Sequence, residues 1–259
     1  MGKMTLTSAK LLADAVKSSG RRSTVQLAEE YARIKKPGQT STDLADLFAL
    51  GEVPMKLYLT LVMLTRKPPH ELFRPRPDHY WAELLGYEEL NEADPVPGSG
   101  TRRVRRAFGK LATAGPDGTS LVSRTRQGSR GAIVAVPIHP PLPSQAPWIT
   151  IPLELWSRGW MNVMSARALF TYLCLRLVLA GRPDGEGAQI TPWDRERLAI
   201  KDDTWHRGVK ELRQLGLVRS EVGRVTTSRW VTDLRERTLY FVNTKFLTET
   251  NSPLEPVES

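Results

Sequence analysis

Cysteine is almost missing from this chain of 259 residues: Cys174 stands alone. That excludes an intramolecular disulfide and any multi-cysteine metal site, and it suits a reducing compartment. Cys174 lies inside the apolar run Leu169 to Leu179, where a thiol reads as a buried structural group. No apolar stretch approaches the roughly 20 residues needed to span a bilayer. The start, MGKMTLTSAKLLADAVKSSGRR, lacks both a long apolar core and a small-residue cleavage site, so no signal peptide is expected. The expectation is a soluble, cytoplasmic protein.

Catalytic signatures are equally scarce. There is no G-x-x-x-x-G-K-[ST] phosphate loop, which argues against ATP or GTP hydrolysis. His70, His79, His139 and His206 show neither an i,i+4 pairing nor an H-x-H spacing, which argues against zinc and against a paired-histidine metal centre. No proline-aspartate is followed by the acid-x-lysine segment used by metal-dependent nucleases. The chain therefore reads as a non-enzyme, with no cofactor and no metal.

Positive charge is what the chain does have. Its formal charge is +9 and its pI about 9.8, which favours a polyanionic partner. The charge is uneven. Between Thr101 and Arg130 eight Lys or Arg face one acid, Asp117, whereas GYEELNEADPVPGSG (Gly86 to Gly100) holds four carboxylates, no cation, and the Pro and Gly of a loop. The last residues, TETNSPLEPVES, are acidic and aperiodic, as expected of a frayed tail. The cluster PIHPPLPSQAP (Pro137 to Pro147) admits neither a helix nor a central strand and is the best boundary in the chain.

Before that boundary, MKLYLTLVML (Met55 to Leu64) predicts a buried helix after Pro54. DHYWAELLG predicts a short helix with Asp78 as N-cap and Gly86 as stop. GTRRVRRAFGKLATA then puts five cations into nine residues without losing helical spacing. At 100° per residue Val104, Ala107, Phe108 and Leu111 share one side, while Arg102, Arg106 and Lys110 lie opposite, flanked by Arg103 and Arg105. LVSRTRQGSRGAIVAV reads as a hairpin around Gly128 to Gly131 with arginines near its tip. Helix, short helix, basic helix and basic hairpin, in this order, make a winged helix-turn-helix, whose third helix enters a major groove.

The same order recurs after the prolines. Ser165 can cap a long apolar helix over Met164 to Ala180, and ITPWDRERLAI gives a short one with Thr191 as N-cap, Pro192 at the first position and Asp194 in the first turn. In DDTWHRGVKELRQLGLV, Trp205, Gly208, Val209, Leu212 and Leu215 line the packing side. Arg207, Lys210 and Gln214 point away, with His206 and Arg213 at the border. Leu217 to Val222 begins a strand, and Thr238 to Asn243 is its partner across a loop carrying Arg224 and Arg229. Trp156, Trp160, Trp193 and Trp205 suit core packing better than base stacking. WITIPLELWSRGW is expected as an extended arm across the second unit, and Thr5 to Lys17 as an amphipathic helix.

DDTWHRGVKELRQLGLVRS closely resembles the recognition-helix-to-wing segment of winged-helix regulators, in which a helix ending in Leu-Gly-Leu-Val turns directly into the first wing strand. The first unit resembles them less, because its acidic loop and the connector LATAGPDGTSLVSR are longer. As a pair, the units resemble the tandem winged-helix replication initiators of plasmids over about Val53 to Asn243. This resemblance implies binding to repeated origin sequences without a nucleotide site.

The expected fold class is α+β, mainly helical, with two winged helix-turn-helix domains in tandem. Residues 1–50 form an N-terminal helical or flexible segment, 51–137 the first domain, 138–147 a proline-rich linker, 148–244 the second domain and 245–259 a flexible acidic tail. The expected partner is double-stranded DNA, with no membrane role. Its contacts are Arg102, Arg103, Arg105, Arg106, Lys110, Arg124, Arg126 and Arg130 in the first unit, and His206, Arg207, Lys210, Arg213, Gln214, Arg224 and Arg229 in the second. Function is read as a replication initiator or segregation factor of a mobile element. The alternatives are a transcriptional regulator and a protein-interaction adaptor, for which the acidic loop Glu88 to Asp94 favours the first unit. Two long apolar helices could serve as homodimer faces or be used up in their own cores.

Overall fold

The computed structural model describes residues 6–34, 37–87, 98–115, 118–127, 131–137, 148–182, 185–228 and 231–249. The fold is α+β, with about half of the described residues helical and only small antiparallel sheets.

Two nearly all-apolar helices lie at its centre. Helix α3 (Glu52–Leu64), with Pro54 in a first turn where a missing N–H costs nothing, buries every residue from Pro54 to Met63. Helix α8 (Ala166–Val178) is as fully enclosed and starts at Ser165, whose Oγ accepts from the Ala168 N–H as expected. Both are used up inside the chain.

What covers them is shared. Residues 1–50 include α1 (Leu6–Ser18), β1 (Thr24–Ala28) and α2 (Asp43–Ala49), which bury Leu12, Val25, Leu27, Leu44 and Leu47. The stretch expected as an arm across the second unit instead forms β4 (Trp148–Pro152), α6 (Glu154–Ser157) and α7 (Trp160–Val163). Strand β4 pairs antiparallel with β1, Thr24 opposite Pro152 and Ala28 opposite Trp148. Val25, Leu27, Ile149 and Ile151 alternate inward along that ladder and are all buried. Phe48 of α2 stacks on Phe170 of α8 at 4.8 Å between centroids, and Trp156 donates to Thr60 Oγ1 at 3.2 Å. One cluster of buried side chains runs from Leu12 to Leu247.

A polar joint sits in this core. The Lys56 ammonium, wholly buried, donates to Glu52 Oε1 at 2.9 Å and to the Asn162 carbonyl at 3.1 Å, while Asn162 Nδ2 donates to the Leu84 carbonyl. Tyr87 also donates to Glu52 Oε1. Burial lowers the Lys56 ammonium below its ordinary value, with Glu52 opposing the shift. Burial alone would raise the Glu52 carboxyl, but Lys56 beside it and the hydrogen bonds from Lys56 and Tyr87 bring it below 4.5.

Around each central helix the same elements recur. In the first unit come α4 (Asp78–Leu84), α5 (Ser99–Leu111) and the hairpin β2 (Ser123–Arg126) and β3 (Ala132–Ala135). The chain before α4 bridges to β3 at Glu71 to Ala135 and Arg76 to Ala132, so β3 lies between it and β2. In the second unit come β5 (Ala188–Gln189), α9 (Pro192–Arg197), α10 (Asp202–Gln214), β6 (Val218–Ser228) and β7 (Val231–Val242), then α11 (Thr244–Glu249). Its sheet order is β5-β7-β6, the same arrangement. Thr191 and Asp194 form a full capping box with Pro192 at the start of α9.

Two predictions follow from this packing. Where α10 crosses α8, a Cβ on Gly208 would lie 2.0 Å from Thr171 Oγ1 and 3.2 Å from the Arg167 carbonyl. Gly208→Ala therefore lowers the unfolding free energy by about 1–3 kcal/mol despite the better helix propensity of alanine, read as a lower denaturant midpoint. For Glu52, a depressed folded value means that the unfolded chain binds more protons, so its stabilisation is present above pH 4.5 and lost as pH falls through the folded value. The slope of stability against pH below 4.5 is accordingly shallower in Glu52→Gln than in the natural chain.

Candidate nucleic-acid interface

Helix α5 separates its chemistry by face. Val104, Ala107, Phe108 and Leu111 are buried, and Arg102, Arg103, Arg105, Arg106 and Lys110 are exposed, as the spacing predicts. Phe108 meets Trp81 of α4 edge-on at 6.2 Å, which fixes the rotation of the helix. Arg102, Arg103 and Arg106 make no hydrogen bond or ion pair among the described residues, whereas Lys110 donates to the Leu50 carbonyl at 2.7 Å, just beyond α2.

Two of the predicted contacts have other engagements. Arg105 Nε donates to Asp78 Oδ2 at 3.1 Å, and Arg124 on β2 donates to Asp78 Oδ1. The Arg124 guanidinium also lies 4.1 Å above the Phe108 ring. Only 26% of its side chain is exposed, against 68% for Arg105. Arg124 is thus a brace between hairpin and helix rather than a free surface cation. Asp78 is correspondingly not the N-cap of α4: Pro77 holds that place without a side-chain cap, and the Asp78 carboxylate is turned to the two arginines. Spacing alone predicts a cap from any early aspartate; only the packed hairpin supplies the competing cations.

Around this brace lies an open groove of about 650 Å³ walled by Asp78, His79, Thr101, Arg105, Arg124 and Arg126. Arg126 is exposed, while Arg130 lies outside the described residues. Gly131 also lines the groove: its φ of 107° and the 2.5 Å distance from a Cβ there to the Arg76 carbonyl carbon leave no room for a side chain.

The second face is built alike but charged differently. Trp205, Gly208, Val209 and Leu212 are buried and Leu215 is half-buried; His206, Arg207, Lys210, Arg213 and Gln214 are exposed. Arg207 Nε pairs with Asp203 at 2.8 Å along the helix, and Asp202 pairs with Arg195 of α9. Glu211 turns inward and accepts from both the Ser165 N–H and hydroxyl. The second helix thus opens on two carboxylates, where the first opens on Ser99, Gly100 and Thr101.

The second hairpin is longer than expected. Strand β6 reaches Ser228 and β7 begins at Val231, so Arg224 is a strand residue opposite Glu236 and not part of a loop; Arg229 lies outside the described residues. The β-branched residues on both sides continue the pairing past Gly223 and the charges around it. Trp193 corrects another expectation. It is 60% exposed, with the Arg197 guanidinium 4.6 Å above its ring, while Trp156, Trp160 and Trp205 are buried. The basic loop between α3 and α4, with Arg66, Lys67, Arg74 and Arg76, is a second cationic surface missing from the sequence-derived contacts. Its four cations in eleven residues are the signal that was available.

The brace predicts a rank order of stabilities. Asp78→Ala leaves the partly buried Arg124 without its carboxylate and costs about 1–3 kcal/mol, whereas Arg105→Ala, on the exposed arm, costs under about 1 kcal/mol. Denaturant midpoints of the two variants check that order. Comparison of the chain with protein-family models, curated proteins and solved structures finds no match.

Proposed function

We propose that this protein is a sequence-specific double-stranded DNA-binding protein made of two winged helix-turn-helix units in tandem. One observation carries the reading. Twice, a helix with a buried apolar face and an exposed cationic face leads into a hairpin whose far strand pairs with the chain that enters the preceding short helix. That order, helix, strand, helix, helix, two-stranded wing, is the one in which a third helix reads a major groove.

Under this reading Arg102, Arg103 and Arg106 on α5 make the first unit's base and phosphate contacts, and His206, Lys210, Arg213 and Gln214 on α10 the second's. An arginine fork bidentate to guanine O6 and N7 is worth about 1–3 kcal/mol of discrimination. Arg126 on the first wing and Arg224 on the second add phosphate contacts, which position without reading sequence. The role we infer is replication initiation or segregation for a mobile element, resting on the resemblance to tandem winged-helix initiators.

Selection of purified protein against a random duplex pool at near-physiological salt tests this, because non-specific phosphate binding weakens steeply with salt. An enriched motif is expected, in direct repeats for an initiator and in a palindrome for a transcriptional regulator. Absence of any enriched motif overturns specific recognition. Arg106→Ala is expected to alter the enriched sequence. Arg126→Ala instead weakens all sequences alike and lowers the salt slope by about 1.

A further inference from the structure

We propose that the groove between the end of α1, the end of α3 and the loop before α4 is a docking site for an acidic peptide segment that carries a bulky apolar side chain. It lies beside the candidate DNA face: Arg76 lines this groove and the next residue, Pro77, lines the other. The argument is independent of the DNA-binding reading.

The loop is built to hold a side chain out of the molecule. Bridges at Glu71 to Ala135 and Arg76 to Ala132 fasten both of its ends to β3, with five residue steps on the loop side against three on the strand. The two surplus residues push outward, and Phe73 at the apex is 96% exposed. The prolines at 68, 69, 75 and 77 restrict the backbone on either side. A lone exposed Phe is ordinary, but Phe73 shares the groove wall with Leu64, Pro69 and Leu72, and an apolar surface rimmed by charge marks a contact site.

Behind it the groove, about 640 Å³, has Leu64, Pro69 and Leu72 among its walls. Arg66, Lys67, Arg74 and Arg76 surround it against one carboxylate, Glu71. Arg21, near Arg66, donates to the Val62 and Met63 carbonyls at the end of α3 and adds its charge to this side of the molecule. Burial and the nearby Arg66 charge lower its guanidinium from the ordinary value. Aliphatic walls ringed by cations match carboxylates flanking a leucine- or phenylalanine-like side chain. A nucleic acid strand fits less well, since successive bases stack on several aromatic rings and Phe73 is the one fully exposed ring in this wall, the Arg76 guanidinium lying over one face of Tyr80 at 4.6 Å.

The test is a display selection of random twelve-residue peptides against the full chain, with counter-selection against Phe73→Ser. Enriched peptides are expected to combine two or more carboxylates with a bulky apolar residue. They should bind both Phe73→Ser and Arg74→Glu about tenfold more weakly than the natural chain. Both substitutions are at exposed positions, and unchanged unfolding midpoints show that the fold is retained. The proposal is overturned if no peptide distinguishes the natural chain from Phe73→Ser, or if the enriched peptides lack acidic residues. It is equally overturned if retention of duplex or single-stranded oligonucleotides falls with Phe73→Ser, which would assign the surface to nucleic acid.

Discussion

Two helices with almost no polar face must be buried on all sides, and the described elements that pack around them are arranged to do so. Neither α3 nor α8 is enclosed by its own neighbours in sequence. The β4 strand of the β1–β4 ladder packs on α8, while Tyr31, just past β1, stacks on Tyr58 of α3 and Trp156 reaches back to Thr60. The hydrophobic term grows with the area removed from water, so a shared core buries more per residue than two small ones. The cationic helices α5 and α10 are consequences: each is pressed by one apolar stripe against this core and has only its other side left for charge.

Much of that was legible in the sequence. Helical spacing separates the buried from the exposed residues of α5 and α10, and the Thr191 capping box with Pro192 marks the start of α9, because those signals are local. What could not be read depends on distant partners. Nothing near Asp78 in sequence reveals that Arg105 and Arg124 will converge on it, and nothing in WITIP names Thr24 to Ala28 as its strand partner. The long second hairpin was missed for a different reason. Gly223 and the alternating charges look like a loop, yet pairing tolerates them when β-branched residues lie on both strands.

The two units are alike in topology and unlike in charge. The cations of α5 stand largely alone beside Ser99, Gly100 and Thr101, while Asp202 and Asp203 precede those of α10 and pair with arginines. Two helices so different would contribute unequally to any polyanion surface: the first through net charge, the second through the geometry of individual donors such as Lys210 and Gln214.

The Lys56 ammonium bears on this in a way that its chemistry alone does not suggest. Held by Glu52 within α3, it also bonds the Asn162 carbonyl in α7, and so ties the helix under α5 to the segment that leads into α8, the helix under α10. Parting them would cost the Lys56 ammonium one of its two acceptors, so this polar tie adds to the shared core in holding the two units together. For a DNA-binding role, the interval between two recognised sites would be measured by the protein itself. One inserted base pair, about 3.4 Å of helix axis, would have to be absorbed by the DNA.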